Sequence, residues 1–171
     1  MVEAISLNQP HWYAAYLHPR QEKSVARQMQ ERGLHWFLPL YRSVRRWKDR
    51  RKEIELVLFP GYVFIYSALQ DRLRVLQLPG VVRFVSFGGQ PASLPDREVE
   101  TLRAGLKENI YAEPHPYLTA GRRVQVIRGP FLGTHGILIR RKDKFRVVIS
   151  LALITRAVSV EVDASDVQPL L

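Results

Sequence analysis

The segment that most constrains the fold is Phe59–Ile65, in which a turn leads directly into a strand. Pro60 fixes one backbone angle, Gly61 permits a tight turn, and aromatic and β-branched residues follow, as in strands. Alternation places three aromatic rings on one face and aliphatic side chains on the other. The aliphatic face is enough to pack a core. The aromatic face, which carries Tyr62, Phe64 and Tyr66, therefore predicts a second contact, either with a helix of the same domain or with a docking partner.

The chain up to residue 107 alternates between strand and helix patterns. Residues 12–17, 34–41, 53–58, 62–66 and 81–87 have strand character, whereas 22–32, 69–78 and 95–106 carry apolar residues at helical spacing. Pro95 opens the last helix, and Gly33 is suited to end the first. This order predicts an α+β split βαβ sandwich, with helices packed on a mainly antiparallel sheet.

The densest charge in the chain lies between residues 42 and 52. Seven cations are opposed there only by Asp49: Arg42, Arg45, Arg46, Lys48, Arg50, Arg51 and Lys52. Because these cations repel one another, a compact buried element is not expected, and a hairpin tip or mobile loop is predicted. Trp47, in the middle of the run, either stacks on nucleobases or folds back to anchor the loop.

The C-terminal part has a different residue pattern. Residues 107–119 contain prolines and acids without strand or helix periodicity, which predicts a linker. Short strand patterns then follow at residues 124–127, 137–139, 146–149 and 158–162, and they predict a small β-barrel. The expected domains are residues 10–107, a linker over 108–119, and residues 120–171.

Composition favours a binding protein over an enzyme. The net charge of +10 indicates a polyanionic partner, and the absence of cysteine excludes thiol chemistry and fits a reducing cytoplasm. No phosphate-binding loop occurs, and the histidines lack metal-ligand spacing. Residues 1–10 show no signal-peptide pattern, and no apolar run is long enough to span a bilayer. We expect a cytoplasmic monomer without enzymatic activity, cofactor, metal or membrane contact.

Two sets of motifs resemble known families. The first domain resembles the N-terminal domain of NusG transcription elongation factors, and the tail resembles a KOW domain. The N-terminal matches are Trp12-Tyr13, Arg20-Gln21-Glu22-Lys23, Phe37-Leu38-Pro39, Phe59-Pro60-Gly61-Tyr62-Val63-Phe64 and residues 79–85, and the KOW matches are Gly121, residues 124–127, Gly129-Pro130-Phe131 and Gly136. In tandem they cover nearly the whole chain.

The resemblance implies a partner for the aromatic face. In the family this face docks on the clamp helices of the RNA polymerase β′ subunit, which implies docking through Tyr16, Tyr62 and Phe64. Residues 71–74, with Arg72 and Arg74, correspond to the segment that reaches the opposite pincer of the polymerase in specialised paralogues. The region that meets non-template DNA in those paralogues corresponds to four residues: His18, Arg20, Lys23 and Arg27.

The chain is more similar to a specialised paralogue than to the general factor. Residues 46–52 and 153–161 resemble the antiterminators of long biosynthetic operons. The first of these segments suggests contact with DNA or nascent RNA through four residues: Arg46, Trp47, Lys48 and Arg50. The alternative that residue patterns leave open is a ribosome- or RNA-binding KOW protein, which explains the charge and the barrel but not the aromatic strip.

The KOW resemblance implies a further partner, either a ribosomal protein or a termination factor, bound through Phe131, Leu132 and Ile154. The general factor has a second aromatic residue three positions after Phe131, where this chain has Thr134, and this argues against termination-factor binding. Some paralogues cover the docking face with a KOW domain refolded as helices. The valine and isoleucine density of this tail instead predicts strands and an open docking face.

Overall fold

The computed structural model describes residues 6–108, 110–118 and 120–170. The chain divides into two compact units, Met1–Leu38 with Phe59–Val99 (unit 1) and Pro39–Leu58 with Glu100–Leu171 (unit 2). The segment Pro39–Leu58 was expected in the first domain but groups with the C-terminal unit. Residues 1–5 and 171, and Asn109 and Thr119 of the predicted linker, lie outside the described part of the chain.

The helices and strands follow the predicted order, with several additions. The strands are β1 (His11–Leu17), β2 (His35–Phe37), β3 (Leu40–Trp47), β4 (Arg50–Val57), β5 (Tyr62–Ser67), β6 (Val81–Phe84), β7 (Ser86–Phe87), β8 (Gln90–Pro91), β9 (Ser93–Leu94), β10 (Ala112–His115), β11 (Arg122–Val126), β12 (His135–Arg141), β13 (Lys144–Leu151), β14 (Arg156–Val162) and β15 (Val167–Pro169). The α-helices are α1 (Glu22–Glu31), α2 (Arg72–Leu76) and α3 (Asp96–Lys107).

The sheet of unit 1 has the order β2-β5-β1-β6, and β9 also pairs with β1. Both β1 and β2 run antiparallel to β5, which lies between them, and α1 connects them along the chain. This is the predicted split βαβ arrangement, and its antiparallel character is confirmed.

Helix α1 lies on the aliphatic face of this sheet. Its apolar stripe, Val25, Ala26 and Met29, is buried, and Trp36 Nε1, on the same face, donates a hydrogen bond to Gln30 Oε1 at 3.1 Å. The helix ends before Gly33, whose φ of 66° is a left-handed conformation that glycine adopts without strain. The expected helix over residues 69–78 is shorter, because a 3₁₀ turn at Leu69–Asp71 precedes α2.

In unit 2, the basic run forms a regular hairpin. Strands β3 and β4 pair without interruption from Leu40↔Val57 to Trp47↔Arg50, and Lys48 and Asp49 form the turn. Of the two expected alternatives, the hairpin is confirmed and the mobile loop is wrong. The paired region extends beyond a tip, since each strand has eight residues.

The C-terminal sheet has six strands in the order β10-β14-β13-β12-β11-β15. The predicted strands of the small β-barrel are confirmed, and β10 and β15 are additional. Strand β10 corrects the linker prediction, because Ala112–His115 pairs with β14 from Ala112↔Val160 to His115↔Ala157. Tyr117 and Leu118, also expected in the linker, pack against a buried cluster of Ile137, Val148 and Ala157.

No helix in the described ranges is long and apolar enough to cross a membrane.

Candidate protein-docking surface

The aromatic face of unit 1 is partly open at one end. Tyr16 on β1 lies directly opposite Tyr62 on β5, and their ring centroids are 5.6 Å apart in an edge-to-face contact. The guanidinium carbon of Arg83, opposite Tyr16 on β6, lies 5.6 Å from the Tyr16 ring centroid. Tyr16 is 38% exposed, and Tyr62 is half-buried. We call Tyr16, Tyr62 and Arg83 the tyrosine cluster.

The turn before Tyr62 is held by helix α1 and strand β1. The amide of Gly61 donates to Glu22 Oε1 at 2.9 Å, and its carbonyl accepts from the Leu17 amide at 2.8 Å. Gly61 has a φ of 89°, so a side chain there would be strained. Glu22 is buried, and its hydrogen bond fixes the turn that positions the tyrosine cluster.

Phe64 does not belong to the exposed part of this face. It is 0% exposed, with Phe37 stacked at a centroid distance of 6.1 Å and Phe59 edge-on at 5.8 Å. The expectation that Phe64 is presented to a partner is therefore corrected. Its ring fills the middle of the aromatic face and supports Tyr62 from within the core.

The other end of this face is partly covered. The Trp12 ring is buried against His35, with a centroid distance of 5.3 Å, and against Tyr66, at 5.4 Å. The aromatic face is therefore core in its middle, at Trp12 and Phe64, and partly open at both ends, where Tyr62 and Tyr66 are half-buried and His35 is exposed. Helix α1 does not account for this burial, since it lies on the opposite face.

The residues expected near non-template DNA lie in the loop after β1 and on the exposed side of α1. His18, Arg20, Lys23 and Arg27 are all exposed. The His18 amide donates to the carbonyl of Gly80 at 2.9 Å, which fixes the loop. Arg20 has a φ of 63°, an uncommon conformation for a residue other than glycine, asparagine or aspartate.

The residues expected to reach the second pincer lie on α2. Arg72 and Arg74 are exposed, with Leu73 between them, also exposed. Arg74 Nη2 donates to the carbonyl of Arg32 at 3.2 Å, and Arg72 Nη1 donates to that of Leu69 at 3.3 Å. Both guanidinium groups keep donors available beyond these bonds.

In unit 2, the four hairpin residues expected to meet nucleic acid are exposed: Arg46, Trp47, Lys48 and Arg50. They do not share one surface. Trp47 and Arg50 form a cross-strand pair on one face of the hairpin, whereas Arg46 pairs with Arg51 on the other. Trp47 is 71% exposed, which contradicts the alternative of an anchoring tryptophan.

Of the three residues expected to bind a KOW partner, only Leu132 is exposed. Phe131 and Ile154 are buried. Phe131 packs so closely on helix α3 that a Cβ at Gly105 would lie 2.3 Å from its ring. The expectation of a three-residue contact surface is therefore corrected to Leu132, because the other two side chains are part of the core of unit 2.

Two ionisable groups in the described part of unit 1 have shifted pKa values. Burial raises the pKa of the Tyr13 hydroxyl, and desolvation raises the pKa of the Glu98 carboxyl. Tyr13 lies on the sheet face opposite the tyrosine cluster, because it neighbours Trp12 along β1. Within the described ranges, no group of three histidine or acidic residues could hold a metal ion.

Comparison with known proteins identifies the family. The sequence model described as "Transcription termination factor nusG" matches residues 10–103, more than half of the chain. The chain belongs to the NusG family. Transcription termination/antitermination proteins NusG from two organisms align with it over most of their length: that of Yersinia pestis at 30% identity over 92% of this chain and 94% of its own, and that of Haemophilus influenzae at 26% identity over 99% and 100%.

A solved structure has the same NusG fold. The structure "Domain interaction in Thermotoga maritima NusG" matches with a TM-score of 0.62 and 23% identity, covering 97% of this chain and all of that one. The NusG-family fold predicted from the sequence, an α+β N-terminal sandwich followed by a small β-barrel, is therefore confirmed.

Sequence reasoning missed two residues that shape the candidate surface of this NusG-family chain. Glu22 was part of a motif, but its hydrogen bond to Gly61 joins residues 39 positions apart and leaves no local signal. Arg83 lies in the matched segment 79–85, and only the pairing of β1 with β6 brings it to Tyr16. In the sequence, Arg83 is one cation among many, two positions after Val81, and no local pattern distinguishes it.

Proposed function

We propose that this NusG-family chain is a specialised antiterminator, which docks on the clamp helices of the RNA polymerase β′ subunit and suppresses pausing or termination. It acts in the cytoplasm as a monomer without a cofactor. The observation that carries the proposal is the tyrosine cluster, a small aromatic surface at one end of a sheet face whose middle is buried.

The tyrosine cluster has the chemistry of a docking anchor. Tyrosine and arginine dominate the binding energy of many protein interfaces, because they bury a large area with few rotatable bonds. Arg83 lies against the Tyr16 ring, and the Gly61 turn holds Tyr62 in place. Little conformational freedom is therefore lost when a helix of the partner covers the cluster.

Two further surfaces of unit 1 support the proposal. The exposed segment Arg72-Leu73-Arg74 offers cations around an apolar residue, as expected for a contact with the second pincer of the polymerase. Binding both pincers would favour the closed polymerase by differential affinity. The exposed polar and cationic side chains of the β1–α1 region suit non-template DNA: His18, Arg20, Lys23 and Arg27.

The C-terminal unit then binds a separate partner, through the exposed Leu132 and its surroundings. A ribosomal protein is favoured over a termination factor, because Thr134 stands where the general factor has an aromatic residue.

Binding of the full chain to an isolated β′ clamp-helix fragment tests the proposal, with affinities measured by calorimetry. Tyr16→Ala and Tyr62→Ala together should cost about 2–4 kcal/mol, a 30- to 1,000-fold loss of affinity, because two aromatic anchors are removed. Phe87→Ala is the control, since Phe87 is an exposed aromatic residue of unit 1 outside the cluster.

Equal affinities of the parent and the double variant would contradict docking through the tyrosine cluster. Absence of binding by the folded parent chain would favour a ribosome- or RNA-binding KOW protein instead.

A further inference from the structure

The two faces of the β3–β4 hairpin differ in charge. The pairs Trp47↔Arg50, Arg45↔Lys52 and Ser43↔Ile54 share one face, because residues directly opposite in a ladder project to the same side. The other face carries Arg46↔Arg51, Val44↔Glu53 and Arg42↔Glu55. The first face therefore has three cations and no carboxylate. The second has three cations and two carboxylates, so its net charge is +1 against +3.

On the second face, one carboxylate already forms an ion pair with a cation. Arg42 Nη1 lies 3.5 Å from Glu53 Oε1. On the first face, an open groove of about 530 Å³ is lined by five residues of that face, Arg45, Trp47, Arg50, Lys52 and Ile54, together with Arg51. Trp47, which lines this groove, is 71% exposed.

We propose that this face of the hairpin binds single-stranded nucleic acid, with a nucleobase stacked on Trp47 and the flanking phosphates paired with Arg45, Arg50 and Lys52. The proposal deepens the function proposed above by naming the ligand of the hairpin and the face that holds it. It replaces Arg46 and Lys48, expected from the sequence, with Arg45 and Lys52.

The observations favour a single strand over other polyanions. An exposed indole beside cations can stack on an unpaired base, whereas the base faces of a duplex are already stacked on one another. An acidic peptide would satisfy the cations but leave the indole without a planar partner. A two-stranded ribbon with a two-residue turn, Lys48-Asp49, is narrow enough to lie along one strand and keep its other face in water.

Fluorescence anisotropy of the full chain with labelled 12-nucleotide oligouridine and oligothymidine tests the proposal at several salt concentrations. Trp47→Leu should weaken binding about 5- to 150-fold, the cost of one stacked base, without changing the salt dependence. Intrinsic tryptophan fluorescence should be quenched on binding in the parent chain and not in Trp47→Leu. The oligonucleotide that binds more tightly identifies RNA or DNA as the source of the strand.

Arg45→Ala and Arg46→Ala form a matched pair, because both remove one exposed cation from adjacent positions on opposite faces. Arg45→Ala should reduce the slope of log affinity against log salt by about 0.7, the value for one phosphate contact of a single strand. Arg46→Ala should leave the slope unchanged.

Three results would overturn the proposal: full binding by Trp47→Leu, equal losses in the two arginine variants, or displacement of the strand by polyglutamate or a 12-base-pair duplex at equal concentration. The clamp-helix assay distinguishes failure of the hairpin proposal from failure of the docking proposal. Trp47→Leu should bind the clamp-helix fragment like the parent, and a chain that binds the strand but not the fragment contradicts docking alone.

Discussion

Tyr62 and Phe64 project from the same strand face but have different structural roles. Phe64 is enclosed by Phe37 and Phe59, whereas Tyr62 lies at the margin beside Tyr16. Strand periodicity assigns both residues to one face, yet it cannot tell how far along that face the core extends. The burial of Phe64 depends on the rings of Phe37 on β2 and Phe59 in the turn before β5. Those contacts form only when the sheet is assembled.

We expect Phe64→Ala to lower the free energy of unfolding by about 3–5 kcal/mol, because it leaves a cavity in the centre of unit 1. Tyr62→Ala should cost about 1 kcal/mol or less, since its ring is already partly in water. Urea denaturation followed by circular dichroism measures both. Similar losses of unfolding free energy in the two variants would contradict the assignment of Phe64 to the core and Tyr62 to the surface.

Arg20 occupies a left-handed backbone conformation, with a φ of 63°. Such a conformation costs an arginine about 1–2 kcal/mol, of which glycine avoids the steric part. We therefore expect Arg20→Gly to keep or raise the free energy of unfolding, by up to about 1 kcal/mol, while lowering affinity for non-template DNA. Thermal denaturation and DNA binding of the same preparation check the two effects, and Arg20→Lys, which keeps the charge, is the control for binding.

At the scale of elements, β10 shows where sequence reasoning fails. Its residues Ala112–His115 include Glu113 and Pro114, which resemble a linker in composition. What makes the segment a strand is remote: backbone pairing with β14, and the Glu113 carboxylate, which forms ion pairs with both Arg141 and Arg146. The Arg146 guanidinium also lies 4.6 Å from the Tyr111 ring centroid. Strand β14, Arg141 and Arg146 are all remote along the chain, and only Tyr111, whose hydroxyl donates to Glu113 Oε2 at 3.1 Å, is local.

We expect Glu113→Gln to destabilise β10, because Arg146 is buried and would lose its carboxylate. Partial exposure of Glu113 reduces the usual cost of breaking a buried pair, so about 1–3 kcal/mol is expected. In hydrogen-exchange measurements on the variant, the amides of residues 112–115 should exchange with solvent faster than they do in the parent chain. The amides of β12 and β13 should change less. Unchanged protection of β10 would mean that its backbone pairing suffices without the ion pairs.

Other elements were accessible from the sequence because their signals are local. Turn residues at Pro60–Gly61, the helical stripe of α1 and the valine-rich strands of the tail each lie within a few positions of one another. The hairpin was predicted from its charge. The division of that charge between its faces was not, since it needs the register of β3 and β4.

On the scale of the whole molecule, the C-terminal unit consists of strands and two short 3₁₀ turns over the described part of residues 120–170. We expect the full chain in solution to show strand-type backbone chemical shifts over residues 122–126, 135–141, 144–151 and 156–162. Helical shifts after residue 120 would contradict this and would indicate a tail able to refold. The open docking face predicted from the same residues is tested by the clamp-helix titration.

The bond between Glu22 and Gly61 has a consequence for how quickly this protein can find its partner. The turn that orients Tyr62 is closed when the domain folds, so no loop has to be ordered after the first collision. Encounters would be productive at the first suitable orientation, and association would be governed by diffusion and by the long-range field of a chain with a net charge of +10. Lengthening that turn by one residue should slow capture of the partner while leaving the final contacts in place.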